Sequence, residues 1–434
     1  MKNSKQSFNY ALRIELSLDF FAECGIIYSS STPVLRITKK GALIMNFNIS
    51  DSVVYIGVDD KTLDLFESQY VVPEGMAYNS YLIKDEKTVI MDSVDSRETY
   101  KWLENLTEAL GDKTPDYLVV QHVEPDHSGS IATVCEKYPE MKLVGNAKTF
   151  QMLGQFFDID LKDRTVTVKD GSELSLGKHT LKFFTAPMVH WPEVMMTYDA
   201  LDKIFFSADA FGKFGTLDAE DDEGWACEAR RYYFNIVGKY GSQVQAVLKK
   251  LADKEIKAIC PLHGPVLKEN ISYYIDIYNT WSKYEPEDKG ITIACASIHG
   301  NTAAAAKKFK EMLEKKGAEK VTFFDLARDD MAEAIEDAFR YDRLVLMAAS
   351  YDAGVFPPML TFVNKLVSKG YKNRTIAIVE NGSWAPSAAR TIKPIVEQLK
   401  DVKLCENVVT IKSSLKDTDI PNLEKLADEL TAKK

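Results

Sequence analysis

The sequence predicts an α/β protein in two parts, a sandwich of stacked sheets flanked by helices and then a doubly wound parallel sheet. Three observations carry this expectation. From Met45 to about Leu267, short apolar or alternating runs recur with turn signals between them. After the charged connector "EPEDKG" (Glu285 to Gly290), strands alternate regularly with helical segments, the signature of a doubly wound sheet. The chain of 434 residues, 45% of them hydrophobic, exceeds one typical core and has ample apolar content for two or three.

In chain order, residues 1–44 do not share the patterning of the rest of the chain and are expected to be an upstream extension of unknown role. Met45 directly precedes "NFNISDSVVYIGV", which alternates like a first strand. Within residues 45–285 the runs "VVYIGV", "NSYLI", "KTVIMD", "YLVVQ", "LKFFTA" and "KIFFSAD" read as strands. A helical, aromatic stretch, "ENISYYIDIYNTWSKY", leads to the connector, a domain boundary. In residues 290–434 the strands are "ITIACA", "VTFFDL", "RLVLMAA", "TIAIVE" and "NVVTI", with helices such as "TAAAAKKFKEMLEKK" between them.

Composition excludes several classes. The formal net charge of -10, without a Lys/Arg-rich block, argues against a nucleic-acid partner, which needs clustered cations. Cys24, Cys135, Cys227, Cys260, Cys295 and Cys405 are scattered without a C-x-x-C pair, so no zinc ribbon, rubredoxin-type iron site or dithiol motif is indicated. They read as free cytosolic thiols. Arg13, Glu15, Asp19 and Glu23 interrupt the apolar N-terminal segment, and no apolar run reaches the length of a membrane span. A cytoplasmic protein with no membrane partner is expected.

The stretch "QHVEPDHSGS" places His122, Glu124, Asp126 and His127 within six positions of a chain with only six histidines. "YLVVQ" before it reads as a buried strand and "SGSIATVCEKY" after it as a helix beginning near Ser128, whose side chain caps its first amides. The four candidates thus occupy a strand-to-helix loop, where they converge on one cavity. Three more lie downstream: His190 in "APMVHWPE", Asp209 in "FFSADAFG" and His263 in "CPLHGP", each after a short apolar strand, where open sheets build their sites. Any one of them alone reads as a satisfied side chain. Together, the H-x-E-x-D-H run, His190 63 residues beyond His127, Asp209 19 further on and His263 54 beyond that resemble the metallo-β-lactamase fold with a dinuclear metal site. Zinc hydrolases of that fold usually carry His where this chain has Glu124, and a carboxylate in place of an imidazole favours iron or manganese. His179 and His299 fall outside the pattern, and His179 is read as an exposed turn residue.

A second constellation lies in residues 290–434. "SIHGNT" (Ser297, Ile298, His299, Gly300, Asn301, Thr302) follows a strand and opens a helix, so its hydroxyls and amides suit a phosphate. It is neither a Walker loop nor G-x-G-x-x-G. Two further loops end the third and fourth strands: one contains Ser350, Tyr351, Asp352, Ala353 and Gly354, the other Asn381, Gly382, Ser383 and Trp384. Strand carboxyl ends meet at a topological switch point, and Tyr351 and Trp384 offer faces for a flat ring. Flavin mononucleotide (FMN) is the expected cofactor.

A metallo-β-lactamase-like αββα sandwich with Glu124 in its ligand run, followed by a flavodoxin-like domain, resembles the flavodiiron proteins (A-type flavoproteins). The resemblance covers Met45 to the C-terminus and includes "VYIGVDDKTLDLFESQYVVPEGMAYNSYLIKDEKTVIMDSV" and "VHWPEVMMTYD". It implies that His122, Glu124 and His190 bind one iron, Asp126, His127 and His263 the other, and that Asp209 bridges them. It further implies reduction of dioxygen to water or of nitric oxide to nitrous oxide, electrons entering through FMN from a rubredoxin-like donor, and a head-to-tail homodimer or dimer of dimers. No rubredoxin or flavin-reductase module follows residue 434, so a separate donor protein is expected. Two departures stand out: Ser350-Tyr351-Asp352 replaces a Pro-Thr pair of many relatives, and residues 1–44 have no counterpart. The rival readings are a zinc-dependent hydrolase fused to a flavodoxin-like domain, against which Glu124 counts, and a non-catalytic electron carrier, against which the intact ligand set counts.

Overall fold

The structure is a computed structural model describing residues 34–37, 43–219 and 223–432; most of the N-terminal extension, with Cys24, lies outside them. The first sheet runs in the order Val34–Ile37, Leu43–Asn48, Val53–Tyr55, Tyr81–Ile83, Val89–Met91, Tyr117–Val119, Lys142–Gly145, Thr165–Thr167. The second runs Glu173–Ser175, Thr180–Thr185, Met195–Asp199, Ile204–Phe206, Ala258–Cys260. Val53, Tyr55, Tyr81, Val89, Met91, Phe183 and Phe206 fill the space between the sheets, while their neighbours Val54, Leu82, Ile90 and Phe184 belong to the core on the outer side, beneath the helices. Both faces of the central strands, such as Val53–Tyr55, Tyr81–Ile83, Val89–Met91 and Ile204–Phe206, are covered, which is why these segments read as continuous apolar runs.

Two strand boundaries in the sandwich differ from the sequence expectation. "VVYIGV" splits after Tyr55: Val58–Asp60 leaves the sheet and pairs with Met76–Tyr78, and at the crossing Gly57 passes so close that a side chain there would come within 2.5 Å of the Tyr78 carbonyl. The boundary drawn before Met45 falls inside a strand, Leu43–Asn48, which pairs on one side with Val34–Ile37 and on the other with Val53–Tyr55.

Apart from the short antiparallel strand Gly354–Val355 beside Tyr341–Tyr351, the last sheet is parallel, with its main strands in the order Val321–Asp325, Asp288–Ala296, Tyr341–Tyr351, Thr375–Asn381, Val409–Ile411. Numbered within this sheet the order is 2-1-3-4-5, with the switch point between the first and third strands. Its first strand begins at Asp288, inside the expected connector, so "EPEDKG" is part of the fold. Helix Ala226–Tyr232 and its continuation Tyr233–Val237 pack on helix Met331–Arg340, with Phe234 stacked on Phe339 at 4.2 Å. Arg230 donates to both oxygens of Glu287 at 2.7 Å and to Glu336 at 2.5 Å, and Arg231 donates to Asp330 at 2.6 Å. The Lys369 ammonium donates to the Asn235 carbonyl at 2.6 Å across the same seam. Cys135, Cys227, Cys260, Cys295 and Cys405 are unbridged, and no helix of the described residues is long and apolar enough to cross a membrane.

His179 is a correction to the sequence reading: it is buried, at 1% exposure. Its Nδ1 lies 3.0 Å from Asp199 and its Nε2 2.8 Å from the Ser52 hydroxyl, while Asp85 accepts its backbone N–H at 2.7 Å. Ser52 also donates to Asp202 at 3.0 Å. This has the outline of a Ser-His-Asp triad, but the surrounding carboxylates favour the protonated imidazole, which cannot accept the Ser52 proton. Burial opposes its charge, yet Asp199, Asp202 and Asp85 outweigh burial and raise its pKa above 6.5. The cage instead ties four turns together, those of Ser52, Asp85, His179 and Asp199. A folded-state pKa above the unfolded one stabilises the fold fully below 6.5, and that contribution is lost as pH rises through the folded value. Urea unfolding of the wild type is therefore expected to show this loss as pH rises above 6.5 and His179→Gln to lack it; equal pH profiles would remove the imidazolium from the account.

Candidate metal centre and cofactor cavity

The exit of strand Tyr117–Val119 is fixed by Asp92, which accepts the Gln121 backbone N–H at 2.7 Å and its side-chain amide at 2.9 Å. His122 comes next, its Nδ1 2.8 Å from Glu193, whose same oxygen accepts the Val123 N–H at 3.0 Å. Pro125 then opens a single helical turn, Pro125–Ser128, that carries Asp126 and His127. Ser128 does not cap a helix as expected: its hydroxyl donates back to the Val123 carbonyl at 2.8 Å and closes the loop. Asp209 leaves strand Ile204–Phe206, and His263 leaves Ala258–Cys260 with its Nδ1 2.8 Å from the Ala77 carbonyl. His190 lies between strands Thr180–Thr185 and Met195–Asp199.

All seven residues singled out in the sequence meet at one place, in two groups: His122, Glu124, His190 and Asp209, and Asp126, His127 and His263. In the first, His190 Nε2 stands 3.0 Å from both Glu124 and Asp209 Oδ2, and His122 Nε2 stands 3.2 and 3.4 Å from the same two oxygens. In the second, His127 Nε2 and His263 Nε2 each lie 3.3 Å from Asp126 Oδ2. Asp209 joins the groups, because its other oxygen, Oδ1, is 3.0 Å from His127 Nε2.

These atoms fit cations better than they fit one another. Both oxygens of Asp126 and of Asp209, and Nε2 of His127, His190 and His263, are buried without a hydrogen-bond partner. Three carboxylates gathered under such burial are costly unless a metal compensates them. The electrostatics express the same demand. Burial opposes charge on His190, yet Asp209 and Glu124 raise its pKa to about 9; burial likewise opposes charge on His122, which Asp209 and Glu124 hold high. Burial favours the neutral acid at Glu124 and Asp209, but the neighbouring imidazoles hold both carboxyls below the ordinary range.

Apolar walls surround the groups. Trp191, named in the sequence, lies 5.3 Å from His122. Phe66, Tyr232 and Tyr78 stand 5.4, 5.5 and 5.9 Å from His263, and no signal in a single sequence marks them. Phe214 sits one ring further out, against Tyr232, and Phe211, two residues after Asp209, stacks on Tyr278.

At the carboxyl ends of the parallel strands lies a cavity of about 530 Å³. Of the flavin-loop candidates, all but Gly300 and Gly354 line it. Gly300, at φ 85, starts helix Asn301–Lys315 and donates its N–H to the Ser297 hydroxyl at 3.1 Å; the Gly354 carbonyl accepts from Ser387 at 2.7 Å. Both shape the loops rather than face the cavity. Trp384, 93% exposed, stands at the rim instead of covering a sheet edge. Asn381 donates to Thr302 at 3.2 Å and to the Ser413 carbonyl at 2.8 Å, so three loops are tied together. Sequence reasoning missed Ser387, Arg390 and Ser413. Ser413 comes just after the last strand, and applying the strand-end rule once more would have found it.

The architecture is thus a metallo-β-lactamase-like domain joined to a flavodoxin-like one. The family described as ODP family beta lactamase matches residues 76–264. The anaerobic nitric oxide reductase flavorubredoxin of Vibrio vulnificus is 28% identical over 358 residues, 80% of this chain and 72% of that protein. Among solved structures, the rubredoxin oxygen:oxidoreductase of Desulfovibrio gigas superposes with a TM-score of 0.83 at 22% identity, covering 89% of this chain and 98% of the other. A variant of the flavo di-iron protein of Thermotoga maritima gives 0.81 at 26% identity, with the same coverage. The resemblance read in the sequence therefore stands: this chain has the fold and domain order of the flavodiiron proteins.

Proposed function

We propose that the protein is a flavodiiron oxidoreductase that reduces dioxygen to water, nitric oxide to nitrous oxide, or both, at two iron ions fed by FMN. Asp209, with one oxygen facing each ligand group, is the observation that carries this reading. His122, Glu124 and His190 hold one ion, Asp126, His127 and His263 the other, and Asp209 spans them. When bound, a ferrous pair and a reduced flavin supply the electrons for joint reduction of both atoms of O₂ or of two NO molecules.

The chain's own groups set the conditions. Glu193 beside Nδ1 of His122 and the Ala77 carbonyl beside Nδ1 of His263 fix the tautomers and leave Nε2 free to ligate. Trp191, Phe66 and Tyr232 exclude water. Glu124 adds an oxygen donor that suits iron over zinc. Residues 45–285 carry the metals and 290–434 the flavin, in the cytoplasm, with electrons from a rubredoxin-type donor. A head-to-tail homodimer, or a dimer of such dimers, is part of the proposal: one two-fold axis then forms two equivalent sites, each with the metal centre of one subunit facing the flavin of its partner.

Protein produced anaerobically with iron and riboflavin available is expected to hold about two irons per chain, as a two-metal site requires, and non-covalent FMN. With a reduced rubredoxin-type donor it should consume O₂ or NO, and steady-state rates with each gas rank the two. Full zinc occupancy under those conditions, or a doubly loaded protein that consumes neither gas, would overturn the reading.

A further inference from the structure

Helix Ile271–Lys283 carries aromatic residues that the site above does not use. Tyr274, Tyr278 and Trp281 are four and three residues apart and so share one face, against which Trp225 packs from the segment before helix Ala226–Tyr232. Their rings form one unbroken series. At its inner end Tyr278 lies on Phe211 at 4.1 Å and its hydroxyl oxygen accepts the Phe211 N–H at 2.5 Å, two residues from Asp209. From Tyr278 the next ring, Trp281, is 5.3 Å away; Trp225 stacks on Trp281 at 5.9 Å; Tyr274 is 4.8 Å from Trp225 and Tyr273 5.3 Å from Tyr274. Exposure grows along the series, from 0% at Tyr278 and 1% at Trp281 to 46% at Tyr273.

We propose that Tyr278, Trp281, Trp225, Tyr274 and Tyr273 form an electron-hole relay that drains oxidising equivalents from the metal centre to solvent, a protective activity separate from gas reduction. The proposal rests on the reading that the seven ligands hold redox-active metal. Packing alone asks only for apolar bulk, which Leu or Phe would supply. Tyr and Trp differ from these in releasing single electrons to strong oxidants, and electron transfer falls steeply with distance, so a series of near contacts outruns one long step.

The chemistry balances. An oxidant of the peroxide class at the metal centre takes one electron from the inner rings. An indole that has lost an electron is a far stronger acid than the neutral ring, and Trp281 already donates its N–H to Glu287 at 2.7 Å, so the proton passes to that carboxylate. It returns when Trp225 refills Trp281. The vacancy then moves outward to Tyr273, whose phenol releases its proton to water. An external thiol returns one electron and one proton. Two such passages reduce one hydrogen peroxide to two waters and couple two thiols into a disulfide.

The test mixes iron-loaded protein, of measured metal content, with hydrogen peroxide and freezes it for electron paramagnetic resonance, with peptide mapping of the same sample. The wild type is expected to show a Tyr or Trp radical and oxidation concentrated at Tyr273, Tyr274 and Trp225. Trp225→Phe should confine the radical to the inner rings, shift oxidation to the peptides carrying Trp281 and the metal ligands, and shorten survival under repeated peroxide several-fold. Tyr273→Phe, at an exposed position that leaves the fold intact, should move the terminal oxidation to Tyr274. Iron-loaded wild type without a protein radical, an unchanged oxidation map in both variants, or an equal radical yield from metal-free protein would overturn the relay. Failure to hold iron, seen before peroxide is added, would instead overturn the functional reading beneath it.

Discussion

Asp209→Ala is expected to lose both metal ions, not one. Its two oxygens face different ligand groups, 3.0 Å from His190 on one side and 3.0 Å from His127 on the other. Without it each group loses an oxygen donor, and nothing joins them. The histidines remain packed and the residue is small, so the fold should survive, which far-ultraviolet circular dichroism checks. Metal analysis of purified protein should fall from about two irons per chain to near none, because donors removed from a two-metal site weaken each ion. Retention of one full iron would show that one group binds independently and that Asp209 does not bridge.

Arg230→Met is expected to destabilise the chain by about 3–5 kcal/mol, the usual cost of stranding the partner of a buried ion pair. Arg230 is 1% exposed and serves Glu287 and Glu336 together. Burial already pushes the Glu336 carboxyl well above its ordinary pKa, and Arg230 is the main group opposing that shift. A carboxyl with a raised folded pKa stabilises the fold below its unfolded pKa and loses that contribution as pH rises through the folded value. The variant should therefore recover part of its stability as pH falls, and the added change Glu336→Leu should recover part of it at neutral pH. Unfolding midpoints in guanidinium for the three proteins decide this. A loss under about 1 kcal/mol, the range of an exposed ion pair, would mean that the seam is solvated.

The candidate ligands were legible because their chemistry resides in their own side chains and because polar residues at the ends of apolar strands stand out: His122, Glu124, Asp126 and His127 within one loop could hardly be missed. What supports them was not legible. Glu193, the Ala77 carbonyl, Phe66 and Tyr232 reach the site from separate segments, and a lone sequence does not say which segments meet. His179 shows the same limit. In "LGKHT" it reads as a turn, and only the fold brings Asp199, Asp202 and Ser52 to it. The connector misled for a related reason: charge in a sequence does not reveal whether its partner is water or a guanidinium, and Glu287 pairs with Arg230.

On the proposed function, the seam between the two domains also bears on how charge carriers would travel. Many redox proteins hang one cofactor on a swinging arm, whose reach and local concentration follow from the length of a tether. Here Phe234 on Phe339, Arg230 between two carboxylates and Lys369 on the Asn235 carbonyl leave no arm to swing. The separation of the two sites within one chain is set by this packing and not by the length of a tether. On the proposed function, traffic between the sites would be a matter of fixed distances and of which molecules stand side by side, not of diffusion.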